Sequence, residues 1–592
     1  MRCLLPVHVA ACLAACATGV TPPSPDVAST RLAGTVDEFL TRQSGFGWSG
    51  NVLLRVHGRV VLAKGYGLAD PGIAAPYTTT TAFDVGSFAK TFTAAAILRL
   101  EELHRLSVRD TLATRLPGVP PDKSAITIHQ LLTHTSGIAV DFPFTDPGTF
   151  YEDVSRDEAL RRILAAPLEY APGKGARYSN CGYIVLAAIV EQVSGKPFRT
   201  FIRDEIFARA GLHHTTFWGD PALAREPVAV GLDGYGSPVE DVRVLSPTTW
   251  CDLGGGEVVS TLADLERWVE ALAAGRVVSR ASVARLWTPW TPTPLMRGGR
   301  YGYGWFLHPT PRGGTLVEHG GDVVAAGCQL SWYRDDDVLF ITSTNVRHDL
   351  YPTRTAVDRA LPSLVFGGDV VWPPRWDPGA APLDAALGDY RLAGGGRLTV
   401  HRRGRRTFIG ATGQSAVDLL AQGTDAVRSR RAQLTAAAKE AFDGLVRGDL
   451  EPLRRVAGPG NPGFPAAVVH EIEGLLHGPL RSFAVLGTFA SGYPHGDPPE
   501  SETTLVRLGA DTAYAIRWGA GISIAATDVP RVQLAADTEL RADGPRSLVA
   551  WDLVHKLVVP IEVSRDGNQL TIGGIVATRI GPTSRTSTRS PH

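Results

Sequence analysis

Residues 86–93 read Gly-Ser-Phe-Ala-Lys-Thr-Phe-Thr, and residues 94–98 continue as Ala-Ala-Ala-Ile-Leu. This stretch decides the fold, because its apolar residues surround the helix that they predict and so require a helix buried on every side. Ser87 and Lys90 stand three positions apart at the start of that helix, which places both side chains on one face. A buried serine beside a lysine can act as a nucleophile with its base. The chain holds only seven lysines, so this spacing is uncommon.

The pair also fits an ordinary helix start, with Ser87 as the cap and Lys90 reaching water along its aliphatic stem. A second motif therefore matters. Tyr178 and Asn180 lie on a predicted loop that leads into another apolar helix, expected to begin near Cys181. Alternate residues of an extended segment point the same way, so both side chains can face one site. Alone, this triplet would equally fit a turn with a packed aromatic ring.

A third motif is His319-Gly320-Gly321. We expect it to flank an edge strand, with glycines that would let a ligand lie against the backbone. By itself this triplet is also weak evidence, because histidine followed by two glycines arises readily by chance in a chain with 64 glycines.

Together and in this order, the three motifs resemble those of the serine hydrolases of the class C β-lactamase and penicillin-binding-protein superfamily. The resemblance covers roughly residues 50–350. Further segments of the family type stand at family spacing: Leu131-Leu132-Thr133-His134-Thr135-Ser136-Gly137, Ser194-Gly195-Lys196-Pro197-Phe198, Gly254-Gly255-Gly256 before Ser260-Thr261, and Tyr301-Gly302-Tyr303-Gly304-Trp305.

The resemblance implies catalytic roles for three residues. Ser87 would attack the acyl carbon. Lys90 and Tyr178 would share the proton transfers, with Tyr178 acting first as a base and then as the acid for the leaving group. For Lys90 to accept a proton, its ammonium form must be disfavoured, which burial and neighbouring cations do.

The resemblance also implies a set of positioning groups. Asn180 would orient Lys90 and a substrate amide, and His319 and Gly321 would position the substrate. The backbone N–H groups of Ser87 and Asp322 would form an oxyanion hole. We expect this chemistry to need no metal and no organic cofactor.

Other histidines receive structural interpretations. In the family, the segment that holds His134 is a structural loop. His213 and His214 stand side by side without a carboxylate at metal-ligand spacing, so we expect no metal there.

One departure from the family pattern concerns the substrate. The family's β-lactamases have lysine where His319 stands, and that lysine helps to bind a substrate carboxylate. A histidine is largely neutral at pH 7 and does so less strongly. Family members with histidine here include esterases and D-amino-acid peptidases. We therefore expect a carboxylesterase-type activity on small-molecule or peptide acyl substrates. The alternatives are a D-amino-acid or peptidoglycan peptidase, a weak β-lactamase and, without catalysis, a surface-binding lipoprotein with a hydrolase fold.

The charge balance excludes one class of partner. The 592 residues include 59 basic and 59 acidic side chains, and a protein that tracks nucleic-acid phosphates normally has a basic excess. Apolar residues make up 44% of the chain, which excludes general disorder. We expect no nucleic-acid partner.

The first residues predict export. Residues 1–15 combine Arg2 with a short apolar run and are predicted as a signal peptide. The run ends Leu13-Ala14-Ala15-Cys16, which resembles a bacterial lipobox with Cys16 as the lipidated residue. We expect a lipid-anchored protein that faces the periplasm or the cell exterior; plain secretion and a cytosolic location are the alternatives.

The remaining pattern predicts an α/β fold. Residues 16–30 are expected to form a tether. Residues 31–366 are expected to form an antiparallel sheet flanked by helices, with its N- and C-terminal strands paired in one layer, plus the all-helical subdomain that the resemblance implies. A linker is predicted over 367–382, a separate β-rich α+β module over 383–583, and a disordered tail over 584–592. Cys181, Cys251 and Cys328 are predicted as buried small hydrophobes.

Local patterns predict particular elements. Strands are expected at 51–54, 60–62 and 304–307, with a hairpin over 329–342. Helices are expected at 88–103, 184–193 and 262–272, and Thr261 with Asp264 predicts a capping box at the start of the last. In the C-terminal module, strands are expected at 389–409 and 482–580, with helices around 434–445 and 466–476.

Overall fold

A computed structural model describes residues 27–139, 142–143, 152–232, 238, 249–292, 299–323, 326–346, 353–376, 384–403, 406–421, 424–457, 464–476, 478–490, 502–508, 512–518, 523–526, 535–552 and 557–580. The predicted signal peptide, Cys16 and the C-terminal tail lie outside these residues. No helix within the described ranges is long and apolar enough to cross a membrane.

The strands described in the N-terminal region range from two to nine residues in length. They are β1 (Gly50–Val56), β2 (Arg59–Tyr66), β3 (Leu68–Asp70), β4 (Ala75–Pro76), β5 (Phe83–Asp84), β6 (Thr216–Phe217), β7 (Val258–Ser260), β8 (Thr291–Pro292), β9 (Arg300–Tyr301), β10 (Phe306–Pro309), β11 (Thr315–Val323), β12 (Ala326–Tyr333) and β13 (Val338–Thr344). The main antiparallel sheet has the order β2-β1-β13-β12-β11-β10-β9-β8. Because β1 pairs with β13, with Val52 opposite Thr342, the predicted pairing of the two terminal strands is confirmed.

Helices cover both faces of this sheet. They are α1 (Val27–Ser44), α2 (Lys90–Glu102), α3 (Leu112–Arg115), α4 (Ile128–Leu132), α5 (Arg156–Ala165), α6 (Asn180–Ser194), α7 (Phe198–Ile202), α8 (Ala208–Ala210), α9 (Leu262–Ala273), α10 (Arg280–Leu286) and α11 (Thr353–Phe366). Helices α1 and α11 share an apolar cluster with β1, which includes Val36, Val52 and Val357. The larger core, on the other face, contains α2, α6 and α9.

The core explains why α2 and α6 are apolar all round. From Lys90 to Leu98 every residue of α2 is buried, and α6 is buried from Cys181 to Val190. Both helices are enclosed by other elements, so neither has a wide polar face. Cys181, Cys251 and Cys328 are buried, as predicted. The α/β prediction with an antiparallel sheet is confirmed, while the separate all-helical subdomain stays a prediction.

Three local predictions need correction. Helix α1 begins at Val27, so residues 27–30 of the predicted tether are helical. The strand expected from Gly304 starts at Phe306, because Gly304 has a left-handed backbone with φ +75°. Only half of the predicted capping box forms. Thr261 accepts the Asp264 N–H, but the Asp264 carboxylate accepts from Thr215 instead of returning to Thr261.

The C-terminal region contains a closed β-barrel with an inserted unit. Its elements are β14 (Gly388–Leu392), β15 (Arg397–Arg403), β16 (Arg406–Thr412), α12 (Gln414–Leu420), α13 (Asp425–Arg447), α14 (Glu451–Ala457), α15 (Phe464–Leu476), β17 (Phe483–Ala490), β18 (Glu502–Leu508), β19 (Thr512–Trp518), β20 (Ser523–Ala526), β21 (Ala535–Gly544), β22 (Ser547–Asp552), β23 (Leu557–Val563), β24 (Gln569–Ile572) and β25 (Ile575–Arg579). The barrel order is β14-β15-β16-β21-β22-β23-β24-β25, and β17–β20 form a second sheet. The β-rich prediction is confirmed; the closure, α12 and α14 were not predicted.

The C-terminal region contacts the N-terminal one directly. Phe46 is buried within the apolar cluster of the barrel. The Arg541 guanidinium lies 4.8 Å from the centre of the Trp376 ring and donates to the Gly45 carbonyl. The module predicted as separate is therefore packed against the segment that follows α1.

Candidate active site

Ser87 lies in a 3-10 turn, Gly86–Ala89, between β5 and α2. The sequence predicted it in the first turn of an α-helix, but that helix begins at Lys90. Gly86 has a left-handed backbone, with φ +47°, and its N–H donates to the Asp84 carboxylate at 2.7 Å. The indole N–H of Trp218 donates to the same carboxylate. These contacts fix the turn that presents Ser87, whose side chain is half-buried.

Lys90 is fully buried beside Ser87. Its Nζ lies 3.0 Å from Ser87 Oγ, 2.9 Å from Asn180 Oδ1 and 3.0 Å from the Gly255 carbonyl oxygen. Two of these partners only accept hydrogen bonds, whereas the serine hydroxyl can donate or accept. A neutral amine can thus donate twice and accept from Ser87, and an ammonium can donate to all three. The arrangement serves both protonation states without moving.

Tyr178 approaches Ser87 from the segment before α6. Its ring centre lies 4.9 Å from Lys90 Nζ, and its phenol faces the Ser87 side chain. Burial raises the pKa of Tyr178 well above its usual value, and the Ser87 contact opposes this only in part. The resting phenol is therefore protonated. Asn180 was predicted on the same loop but is the first residue of α6, with Ser179 as its cap.

His319 lies on β11, one residue beyond the part of that strand that pairs with β10. β11 pairs with β12 along its length but with β10 only over residues 315–318. Among the described strands, residues 319–321 therefore have a neighbour on one side only, so the motif lies at a local sheet edge, although β11 as a whole is not an edge strand. The His319 ring is buried. Its Nδ1 lies 2.6 Å from the Gly320 carbonyl and so carries a proton, and its Nε2 accepts from the Tyr301 hydroxyl at 3.3 Å. Burial and the nearby Lys90 charge lower the pKa of His319 to about 3, so the ring is neutral.

The backbone of the His319-Gly320-Gly321 motif packs directly against the backbone of the Gly86–Ala89 turn, which is called the nucleophile turn below. A Cβ atom at Gly321 would lie 1.8 Å from the Val85 oxygen and 2.8 Å from the Ser87 nitrogen. A Cβ atom at Gly86 would lie 3.0 Å from the Asp322 nitrogen. The two expected oxyanion-hole nitrogens, of Ser87 and Asp322, are thus brought to one place. Gly321 was expected to let a ligand lie against the backbone, whereas the position of its missing side chain is filled by the backbone that presents Ser87.

The structure adds groups that the motifs did not indicate. His134 lies with its ring centre 4.4 Å from that of Tyr178, and Tyr301 contacts both His134 and His319. The Gly255 oxygen is a backbone atom, which any residue type could supply. Its only signal in the sequence was its place in the Gly254–Gly256 segment.

Of the two adjacent histidines that were expected not to bind a metal, His214 contacts a carboxylate. His214 Nδ1 lies 2.8 Å from a carboxylate oxygen of Glu226. Within the described ranges, no group of three or more His, Cys, Asp and Glu side chains could hold a metal ion.

The neutral state of His319 predicts a pH effect on stability. The unfolded chain takes up a proton near pH 6.5, but the folded ring, with its pKa near 3, does not, so acid favours unfolding. For His319→Gln, we expect the loss in free energy of unfolding from pH 7 to pH 5 to be about 2 kcal/mol smaller than for wild type. Urea unfolding at both pH values measures this. His214→Gln is the exposed control, and equal losses in wild type and His319→Gln would show that the ring is charged in the fold.

Comparison with known proteins agrees with this geometry. The family model described as Beta-lactamase matches residues 32–361. Penicillin-binding protein 4* of Bacillus subtilis is 28% identical over 394 residues, covering 63% of this chain and 86% of that protein. Esterase EstB of Burkholderia gladioli is 29% identical over 252 residues, covering 37% of this chain and 64% of that protein. The octameric penicillin-binding protein homologue from Pyrococcus abyssi is similar in fold over 92% of this chain and 99% of that chain, with a TM-score of 0.50 and 17% identity.

Proposed function

The chain belongs to the Beta-lactamase family of serine hydrolases, and we propose that it cleaves esters of small acyl substrates through an acyl-enzyme on Ser87. The observation that carries this proposal is the 3.0 Å contact between Lys90 Nζ and Ser87 Oγ. Asn180 and Gly255 hold the amine in place whether or not it carries the extra proton. Serine and base are therefore preorganised for proton transfer.

Acylation uses Lys90 as the base and Tyr178 as the acid. Ser87 Oγ attacks the acyl carbon while its proton passes to Lys90 Nζ, and the backbone N–H groups of Ser87 and Asp322 stabilise the oxyanion. Tyr178, protonated in the resting state, gives its proton to the leaving alcohol as the ester bond breaks. This order differs from the expectation that Tyr178 acts first as a base, because burial of the phenol disfavours a resting phenolate.

Deacylation reverses both proton transfers. A water molecule attacks the acyl carbon and gives a proton to the Tyr178 phenolate. The Lys90 ammonium returns its proton to Ser87 Oγ as the acyl–oxygen bond breaks. The products are a carboxylic acid and an alcohol, and both side chains regain their resting states without a cofactor.

The neutral His319 supports an ester as the preferred substrate. Its Nδ1–H is bonded to the Gly320 carbonyl and its Nε2 accepts from Tyr301, so the ring offers no positive charge to a substrate carboxylate. β-Lactams and peptides that end in a carboxylate therefore find no cation at position 319 to pair with. Neutral esters have no carboxylate and do not need that ion pair. The likeness to esterase EstB supports the same choice, and the likeness to penicillin-binding protein 4* keeps a peptidase as the alternative.

We further propose that the protein is exported and anchored through a lipid on Cys16. The support is the Leu13-Ala14-Ala15-Cys16 sequence after a short apolar run. Membrane fractionation of wild type and Cys16→Ala tests the anchor, and a wild-type protein found only in soluble fractions would contradict it.

A substrate panel with an active-site label tests the proposed function. We expect kcat/KM for p-nitrophenyl butyrate to exceed that for D-alanine p-nitroanilide and for nitrocefin by at least about tenfold. We also expect a fluorophosphonate adduct that peptide mapping places on Ser87, with Ser87→Ala as the unlabelled control. Faster turnover of the anilide or of nitrocefin would replace the ester assignment. Absence of both adduct and turnover would favour the binding-lipoprotein alternative.

A further inference from the structure

His134 has a strained backbone next to the candidate site. It follows α4 and adopts a left-handed conformation, with φ +57°, although only 4% of the residue is exposed. A non-glycine residue held in this region costs about 1–3 kcal/mol, and the surrounding structure must enforce it. The conformation turns both the carbonyl and the imidazole of His134 toward residues 177–179.

His134 contacts the chain before Tyr178, the chain after it and the Tyr178 ring itself. The N–H of Arg177, just before Tyr178, donates to the His134 carbonyl at 2.9 Å. The N–H of Ser179, just after Tyr178, donates to His134 Nδ1 at 3.0 Å. The rings of His134 and Tyr178 pack with centres 4.4 Å apart and planes 36° apart. One residue thus accepts from the N–H groups of the residues before and after Tyr178 and also packs against its ring.

The hydrogen bonding of the imidazole shows that packing against Tyr178 does not by itself explain a histidine at position 134. Because Nδ1 accepts a hydrogen bond, the proton of the neutral ring is on Nε2. That nitrogen is buried and has no hydrogen-bond partner among the described residues. An unsatisfied buried donor costs about 1–3 kcal/mol, which a phenylalanine ring of similar shape would avoid. An imidazole at this position is therefore explained by the hydrogen bond that its Nδ1 accepts from the Ser179 N–H.

We propose that His134 is a positioning residue for Tyr178, holding the phenol where it can protonate the leaving group. This role rests on the proposed acyl-enzyme mechanism. His134 acts through Tyr178 and Ser179 and contacts no reacting atom. The imidazole sets the direction of the segment at residue 179, and the stacked ring limits rotation of the phenol.

The surrounding loop does not depend on the imidazole. The Glu169 N–H donates to the Gly137 carbonyl and the Gly173 N–H to the Thr135 carbonyl, each at 2.8 Å. These bonds join the loop to the segment before Tyr178 through backbone atoms alone. A change of the His134 side chain should therefore leave the loop folded and act on residues 178 and 179.

Two variants separate the functions of the side chain. His134→Ala removes both the ring and the acceptor. His134→Asn tolerates a left-handed backbone and offers Oδ1 to the Ser179 N–H, so it restores the acceptor alone. His214→Ala is the matched control, because His214 is a half-exposed histidine paired with Glu226. Titration of active sites with the fluorophosphonate label corrects each rate for unfolded protein.

The rate loss should depend on the leaving group, because Tyr178 acts as its acid. For His134→Ala we expect kcat per titrated site to fall about 100-fold with ethyl butyrate but only about tenfold with p-nitrophenyl butyrate, whose leaving group needs no proton. KM should stay within about threefold, because the substrate contacts are unchanged. His134→Asn should recover most of the loss, and His214→Ala should match wild type.

Three results would overturn the inference. One is a His134→Ala rate per titrated site within twofold of wild type. Another is an equal loss for the two esters, which would indicate general distortion of the site. The third is a His134→Asn variant no better than His134→Ala. If the alanine variant fails to fold, a His134→Asn rate per titrated site about 100-fold below wild type with ethyl butyrate overturns the inference instead. A wild-type protein that forms no Ser87 adduct would overturn the proposed function and this role with it.

Discussion

Lys90→Arg is expected to lower kcat/KM for p-nitrophenyl butyrate by about 10⁴-fold, the upper range for loss of a general base. The substitution keeps a positive charge in the buried site. It removes the ability to accept the Ser87 proton, because a guanidinium does not lose its own proton in proteins. If Lys90 contributed only its positive charge, Lys90→Arg would remain active. If Lys90 accepts the Ser87 proton, Lys90→Arg loses its activity.

Two further variants make the Lys90 result interpretable. Lys90→Met removes the charge with little change in volume, and we expect a similar loss, so a folding defect specific to the larger arginine can be recognised. Lys64→Arg is the matched control, because Lys64 is exposed and paired with Asp37; its activity should match wild type. Retention of more than about a tenth of the activity in Lys90→Arg would contradict the assignment of Lys90 as the base.

Much of the sheet domain follows from local sequence patterns. The short apolar runs within residues 51–62 and 329–342, separated by the turn residues His57-Gly58 and Asp335-Asp336-Asp337, predict β1, β2 and the β12–β13 hairpin. The all-apolar stretches predict the buried helices α2 and α6, since neither has a face left for water. Boundaries were less well predicted. Gly304 interrupts an apparent strand only because its backbone is left-handed.

Contacts between distant residues set the limit of sequence reasoning. The barrel closes through Tyr390 of β14 and Arg579 of β25, and no periodicity within either strand specifies a partner that far along the chain. The inserted helices and the β17–β20 sheet separate β16 from its partner β21 in the same way. A β-rich region could be predicted, but its closure could not.

In the candidate site, too, contacts between neighbouring residues could be predicted and contacts between distant segments could not. Ser87 and Lys90 are local neighbours, and their spacing on one helix predicted their contact. The Gly255 carbonyl and the His134 imidazole reach the site from distant segments. One is a backbone atom, and the other acts through a left-handed residue that a sequence motif does not reveal. The three motifs predicted which segments meet, but not the hydrogen bonds that hold Lys90 and Tyr178.

Gly321→Ala is expected to lower kcat by about 10³-fold, close to the loss of one oxyanion-hole donor. The added Cβ atom would lie 1.8 Å from the Val85 oxygen and 2.8 Å from the Ser87 nitrogen. Both are backbone atoms, so no side chain can move aside. β11 must shift away from the nucleophile turn, and the Asp322 N–H moves with it. Ground-state binding does not use the oxyanion, so KM should change by less than about threefold.

Gly34→Ala provides the matched control, because a Cβ atom added at Gly34 meets nothing within 4 Å. It lies in α1, where alanine favours the helix by about 1 kcal/mol over glycine, so its activity should equal that of wild type. Stopped-flow acylation of both variants locates the effect. A slow acylation step in Gly321→Ala, with Ser87 still labelled by the fluorophosphonate, indicates a misplaced donor beside an intact nucleophile. If Gly321→Ala acylates at the wild-type rate, the β11 backbone does not supply an oxyanion donor, and Ser87 must find its second donor elsewhere.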